Sequence, residues 1–299
     1  QKNRVAIRIT NPGGQLDWKD FLYMDWGDYT FHKSHGFGGI DRGMKFTFHD
    51  PVYFTDLHVL NQPEPRKIMV KALIRNSSGK KITGKTIYEV FDLREEKLHA
   101  RGEENVQVLP GQEVKINHLL SCPDARLWSL DNPVLYKVKA RFVVDHKRHD
   151  WKDEKTVDFG FRWFGIDGLG ENAIFRLNGK RIRLTSAISW GFWGFNGLFP
   201  RPELAVKEVL AAHELGLNCL QFHRNIGRAD VLDAQDSLGL LRYMEPGGGI
   251  TALGLRYPEV ERGNAIDPLV EIDPSGNGGE PLTFAEKFME EKIIRMIRD

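Results

Sequence analysis

Two stretches of this chain decide its fold: Leu215-Gly216-Leu217-Asn218-Cys219-Leu220-Gln221-Phe222-His223-Arg224-Asn225 and Leu238-Gly239-Leu240-Leu241-Arg242-Tyr243-Met244-Glu245. Each closes a helical run on Leu-Gly-Leu and leads straight into a short apolar segment, Cys219 to Phe222 in one and Leu241 to Met244 in the other. A helix that stops on glycine and turns directly into a buried strand is one β/α unit. Glycine suits that turn because the residue after the last helical turn takes positive φ, which costs glycine nothing. The two glycines stand 23 residues apart, the spacing of consecutive units in a parallel sheet with crossover helices. His223, Arg224 and Asn225 end the first strand and Glu245 ends the second. Active sites of α/β barrels are built at the carboxyl ends of strands, so this pattern implies enzyme chemistry on sugars or other small molecules.

The flanking residues extend the same grammar. Pro202 and Glu203 open a helix whose inner stripe is read as Val206, Val209, Leu210 and Leu217, with proline in the first turn, where its missing N–H costs least. Arg228 to Leu238 reads as a second helix with Val231, Leu232 and Leu238 inward, and Thr283 to Arg298 as a third with Phe288, Ile293, Ile294 and Ile297 on one side. Upstream, Asn178-Gly179 between Ile174-Phe175-Arg176-Leu177 and Arg181 to Leu184 is a strong hairpin signal, since a type I′ turn needs positive φ at both central positions. The strand Ile182 to Ile188 is expected to open the parallel section. Three strands do not close a barrel, which takes eight strands and about 250 residues; the segment from 159 onward has 141.

From residue 4 to 160 the pattern is period-two and turn-rich. Ile68, Val70, Ala72 and Ile74 alternate with Met69, Lys71 and Leu73; Ile87, Glu89 and Phe91, then Val108, Val114, Ile116 and Val134 to Val144, supply further strands. Asn76 to Lys80, Pro110-Gly111 and Asp131-Asn132-Pro133 read as turns. About seven short strands fit between residues 53 and 158, the count of an immunoglobulin-like β-sandwich. Residues 1–52 are also β-rich and read as the tail of a domain whose beginning lies elsewhere.

Composition narrows the partners. Lys plus Arg number 42 against 41 for Asp plus Glu, so a net charge of +1 leaves no footprint for nucleic acid or an anionic membrane. No apolar run approaches the roughly 20 residues of a membrane span. The chain opens Gln1-Lys2-Asn3-Arg4 without an initiator Met or signal peptide, as expected of a first residue made by processing or by design. Cys122 and Cys219 lie in different parts of the chain and indicate neither a disulfide framework nor a metal knuckle. Gly247-Gly248-Gly249 follows a strand, but no helix opens after it and no Lys-Ser/Thr pair accompanies it, so dinucleotide and phosphate-loop readings fail. The acidic residues Glu259, Glu261, Asp267, Glu271 and Asp273, in the long loop from Pro246 to Pro281, have no metal spacing and read as a solvated surface. No cofactor and no metal are called for.

The run Leu127-Trp128-Ser129-Leu130-Asp131-Asn132-Pro133-Val134-Leu135-Tyr136, the junction Phe159-Gly160-Phe161-Arg162, the hairpin Leu177-Asn178-Gly179-Lys180 and the helix end Gly216-Leu217-Asn218 together resemble glycoside hydrolase family 2. The resemblance implies three units in order: residues 1–52 as the end of a jelly-roll sugar-binding domain, 53–158 as an immunoglobulin-like sandwich, and 159–299 as the first part of a TIM (β/α)8 barrel. It implies a retaining, exo-acting β-glycosidase whose acid/base and nucleophile glutamates follow barrel strands four and seven. Arg298-Asp299 resembles the segment that precedes the acid/base strand, which places both catalytic carboxylates beyond Asp299. The substrate-binding residues expected here are Trp190, Trp193, His223, Arg224 and Glu245, with carbohydrate as the partner. Trp190-Gly191-Phe192-Trp193-Gly194-Phe195 offers aromatic faces to pyranose C–H surfaces, or else packs beneath its own loop. His223 and Arg224 can donate to hydroxyls or a carboxylate, while an Arg paired with Glu245 would serve only structure.

The sequence also departs from the family. Ser186-Ala187-Ile188-Ser189-Trp190 stands where many members have Gly-x-Asn-x-His, Gln221 where they have Arg, and Met244 where an Asp precedes the acidic residue. The sugar therefore stays open. A non-catalytic carbohydrate-binding or scaffold protein of the same architecture is the alternative, and assembly into a homo-oligomer is left open. The compartment stays open, with periplasmic or extracellular slightly favoured over cytoplasmic.

Overall fold

The computed structural model of the chain describes residues 4–8, 25–26, 29–30, 44–145, 151–189, 202–222, 227, 229–245 and 293–294. Near the start, β1 (Asp25–Trp26) pairs antiparallel with β2 (Tyr29–Thr30). Most of residues 1–52, and with them the jelly-roll expectation, lies outside the described residues.

Seven strands follow: β3 (Val52–Asn61), β4 (Lys67–Asn76), β5 (Ile82–Asp92), β6 (Leu98–Val108), β7 (Glu113–Ser121), β8 (Tyr136–Val144) and β9 (Lys152–Phe159). The alternation in sequence dictates them. In β4, Ile68, Val70, Ala72 and Ile74 are buried while Lys67, Met69, Lys71 and Leu73 are only partly so. Every pairing is antiparallel, in two sheets ordered β3-β4-β7 and β6-β5-β8-β9. Their inner faces share one core that includes Ile68, Val70, Val90, Val138, Ala140 and Phe142. Each large apolar side chain withdrawn from water contributes roughly 1.5–3 kcal/mol, which is what holds the two sheets face to face.

The sheets also meet along β3 and β9. A bulge between Phe54 and Asp56 leaves Thr55 outside the ladder. Asp153 Oδ2 accepts the Phe54 N–H at 2.7 Å, Lys155 Nζ donates to the Thr55 carbonyl at 2.9 Å, and the Thr55 hydroxyl donates to Glu113 Oε2 at 2.7 Å. Side chains thus take up the backbone groups that a bulge exposes.

Beyond the sandwich, β10 (Phe164–Asp167), β11 (Ile174–Leu177) and β12 (Lys180–Ile182) form a small antiparallel sheet. Asn178 and Gly179 have φ of 52° and 81°, the double positive φ of the hairpin turn expected from the sequence. Next come β13 (Ser186–Ser189), α1 (Pro202–Glu214), β14 (Cys219–Phe222), α2 (Ala229–Leu238) and β15 (Leu241–Met244), with the three strands parallel in the order β13-β14-β15.

Both glycine stops are as read. Gly216 and Gly239 have φ of 72° and 84°. Leu217 N–H bonds to Ala212 C=O at 2.8 Å and Leu240 N–H to Gln235 C=O at 2.9 Å, satisfying last-turn carbonyls in the Schellman manner.

Two expectations need correction. The strand assigned to Ile182–Ile188 is divided: Ile182 ends β12 and β13 begins at Ser186. The side chain of Asn218 pins the break, its amide donating to the Arg183 carbonyl at 2.8 Å and its carbonyl accepting the Thr185 N–H at 2.9 Å. On α1, Ala205, Val209 and Ala212 are buried, whereas Val206 and Leu210 are 39% and 48% exposed. The packed face is turned one residue, about 100°, from the predicted stripe, because the small alanines let the helix approach its neighbours closely. Leu217 does pack against this second core, as expected. The third predicted helix lies outside the described residues except for Ile293 and Ile294, which are helical.

The sandwich and the parallel sheet touch at Gly239. A Cβ there would stand 2.1 Å from the carbonyl oxygen of Leu130, whereas one on Gly216 would meet nothing within 4 Å. Gly216→Ala should therefore cost only the left-handed strain, about 1–2 kcal/mol. Gly239→Ala should cost distinctly more and lower the urea midpoint further. Equal losses in the two variants would mean that the Leu130–Gly239 approach does not form in solution.

Candidate functional site

Register assigns each residue of the parallel sheet to a face. Ala187, Leu220 and Arg242 stand side by side, as do Ser189, Phe222 and Met244. Leu220 and Phe222 are buried in the cluster formed with α1 and α2, so these six positions face the helices. The alternating row Ile188, Gln221 and Tyr243 faces the other way, and Ile188 and Tyr243 are each 57% exposed. Glu245 lies two residues beyond Tyr243 and so continues this open face past the end of β15.

At that end the Gln221 side-chain amide donates through Nε2 to Glu245 Oε1 in a short hydrogen bond. The carboxyl ends of β14 and β15 are therefore adjacent, as the sequence implied, and a carboxylate sits on their rim. A carboxylate is an acceptor with room for several donors, which suits the hydroxyls of a sugar.

Behind the sheet, Ser189 donates through Oγ to Glu208 Oε1 at 2.6 Å, joining the last residue of β13 to α1. Glu208 Oε2 is buried and has no hydrogen-bond partner among the described residues. Burial pushes the Glu208 carboxyl above its ordinary value, against the opposing pull of the Ser189 hydroxyl.

The helix face carries a heavier charge cluster. Arg242 reaches both carboxylate oxygens of Asp236, through Nη1 at 3.0 Å and Nη2 at 3.4 Å, and Arg162 reaches Oδ1 at 3.1 Å. Asp233 on the same helix has its carboxyl pushed up by burial and by the neighbouring carboxylates of Asp236, Asp158 and Asp230.

Of the residues chosen from sequence, Glu245 is on this rim. Trp190, Trp193, His223 and Arg224 lie outside the described residues, though Trp190 directly follows β13 and His223 directly follows β14 in the chain. Sequence reading noted Gln221 only as a departure and passed over Ile188 and Tyr243 as members of the open face. The signal that finds them is strand register, which needs the pairing of three separate segments. Among the described residues no group of three or more His, Cys, Asp or Glu side chains gathers to hold a metal, and no helix is long and apolar enough to cross a membrane.

Residues 52–162, the sandwich and its exit junction, match the family described as Glycosyl hydrolases family 2, and the chain resembles that family. Among individual relatives, a beta-galactosidase of Thermoanaerobacterium thermosulfurigenes is 26% identical over 251 residues, covering 79% of this chain and 30% of that protein. A glycosyl hydrolase family 2 member from Bacteroides cellulosilyticus superposes with a TM-score of 0.57 at 24% identity, covering 65% of this chain and 25% of that one. A Bacteroides uniformis beta-glucuronidase superposes with a TM-score of 0.55 at 19% identity, covering 65% and 24%. The chain thus spans less than a third of the length of these relatives, and the structural matches speak for fold alone.

The Glu208 contact has a measurable sign. Its raised carboxyl keeps a proton in the folded chain where the unfolded chain has lost it. The stability it contributes is complete below the ordinary value of 4.5 and is lost as pH rises through the folded value. Glu208→Gln, which cannot ionise, should flatten the fall in denaturation midpoint above that pH, with little change below it. Parallel pH profiles for the two proteins would contradict the burial argument.

Proposed function

We propose that this chain is part of a retaining, exo-acting β-glycosidase that acts on O-glycosyl bonds, with its catalytic glutamates in residues beyond Asp299. On this reading residues 1–52 end a jelly-roll domain, 53–158 are an immunoglobulin-like sandwich, and 159–299 begin a (β/α)8 barrel. The sandwich reading is supported by seven antiparallel strands in sheets of three and four. The barrel reading is supported by consecutive parallel strands joined by helices that end on glycine.

The observation that carries the proposal is the pairing of Gln221 with Glu245 on the carboxyl rim of adjacent parallel strands. Glu245 is assigned to accept sugar hydroxyls. Trp190 and Trp193 are assigned to the apolar face of the ring, and His223 and Arg224 to further hydroxyls or an acidic substituent. The chemistry itself would need two carboxyls about 5–5.5 Å apart, one attacking the anomeric carbon and one protonating the leaving oxygen. Glu245 is not assigned to either role.

The purified 299-residue chain should turn over no aryl β-glycoside. It should bind simple pyranosides in the millimolar range, about 4 kcal/mol, measurable by saturation-transfer NMR. Glu245→Ala should weaken that binding about tenfold, or 1.4 kcal/mol. Turnover by this chain would contradict the placement of the catalytic pair, and pyranoside binding unaffected by Glu245→Ala would contradict the site.

A further inference from the structure

We propose that the outer face of the β3-β4-β7 sheet carries a second ligand site, apart from the rim of the parallel sheet, that takes a compact organic anion: a carboxylate borne on an apolar ring. A cavity of about 450 Å³ lies there, a size within the roughly 300–1,000 Å³ of small-molecule sites. Strand register places its walls. Asp56, Leu73 and Lys115 form one cross-strand row, and His58, Lys71 and Asn117 form the next but one. The row between them, Leu57, Ala72 and Ile116, is buried between the sheets, so the two flanking rows point outward.

Lys71 and Lys115 carry the argument. They stand on a diagonal of neighbouring strands, where Cβ atoms are about 7–8 Å apart, so side chains of this length can bring both ammonium groups to one anion. Among the described residues neither lysine has an ion pair or a hydrogen bond. Lys67, Lys85 and Lys139, by contrast, lie 2.7, 2.9 and 2.9 Å from carboxylates. Two like charges set side by side repel, and an anion between them replaces that repulsion with attraction. Against the two ammonium groups the lining sets one carboxylate, Asp56, which has His58 Nδ1 at 3.3 Å, so the balance is positive. Leu60 and Leu73 are half-buried on the same outward face, outside the sandwich core, and Ile294 also lines the cavity. They supply an apolar surface on which a ring lies while its carboxylate meets the lysines. A bare inorganic anion leaves that surface uncovered and a neutral ring leaves the lysines unpaired, so the site selects both features together.

The probe is cyclohexanecarboxylate, titrated into the 299-residue chain at low salt. The backbone amide resonances of Lys71, Leu73 and Lys115 should shift together and saturate in the millimolar range. Cyclohexanecarboxamide, which keeps the ring and loses the charge, and acetate, which keeps the charge and loses the ring, should each bind about tenfold more weakly. The double variant Lys71→Gln, Lys115→Gln should bind cyclohexanecarboxylate about tenfold more weakly, as the loss of two partly exposed ion pairs requires. Lys85→Gln, in the other sheet, should bind as the parent does, with all variants matched for folding by circular dichroism. The inference is overturned by carboxamide or acetate binding as tightly as cyclohexanecarboxylate, or by an equal loss in Lys85→Gln. Shifts that spare Leu73 and the two lysines, or no saturable binding at all, overturn it too.

Discussion

Trp128 is the residue on which the assembly of this chain depends. It is fully buried yet belongs to the interior of neither core, because it stands where three parts of the chain meet. Its N–H donates to the Phe161 carbonyl at 2.8 Å, tying it to the exit from the sandwich. Its carbonyl accepts from the Asn178 side chain at 2.8 Å, tying it to the hairpin, and its indole Nε1 donates to the Asp236 carbonyl at 2.7 Å, tying it to α2. The Arg162 guanidinium lies 4.7 Å from the ring centroid. A side chain this large can cover apolar surface and still direct a hydrogen bond from its edge, so Trp128 ties the parallel sheet to the sandwich beside the Arg162–Asp236 pair and the Leu130–Gly239 approach. Gly160 records how closely this is done, since a Cβ there would lie 2.9 Å from the Trp128 Cβ.

From that junction the parallel sheet acquires two unlike faces. The helix face holds Leu220 and Phe222 against α1 and α2. The other presents Ile188, Gln221 and Tyr243. Among the described residues β13 and β15 are also edge strands, each paired on one side only. Unpaired ladder groups invite pairing with another strand, and adjoining exposed apolar side chains invite cover. Under the proposed reading further strands and the opposite wall of a barrel would meet both needs, and the rim that carries Glu245 would become the mouth of a cavity.

The features legible in the sequence were those set by local backbone geometry. Gly216, Gly239 and the Asn178-Gly179 pair were readable because positive φ restricts residue choice at one position, whatever surrounds it. Strands β4, β5, β7 and β8 of the sandwich were readable from alternation together with the turn residues between them. What failed depended on contacts distant in sequence. The break between β12 and β13 is enforced by Asn218, more than 30 residues from the backbone groups it binds. The face of α1 was misassigned because Val206 and Leu210 outrank Ala205 and Ala212 in hydrophobicity, whereas close packing favours the smaller side chains. Glu245 was chosen by its place after a strand. Its partner Gln221 was not, because nothing in either segment states how β14 and β15 align.

Two carboxylates beside the parallel sheet, Asp236 and Glu245, are contacted in different ways. Asp236 holds α2 to β15 and to the sandwich junction, and it is gripped by two arginines, one of them through both oxygens. Such a bond fixes geometry firmly and uses up acceptor capacity, which suits a group whose neighbours must not move. Glu245 receives an amide donor from Gln221. An amide N–H is a neutral donor and, unlike a guanidinium, brings no charge of its own to the carboxylate. Reversing the two, with arginine on the rim and glutamine behind it, would loosen the frame. The arrangement observed puts the two-armed ion pair in the layer that ties α2 to the sandwich and the amide contact on the open face of the sheet.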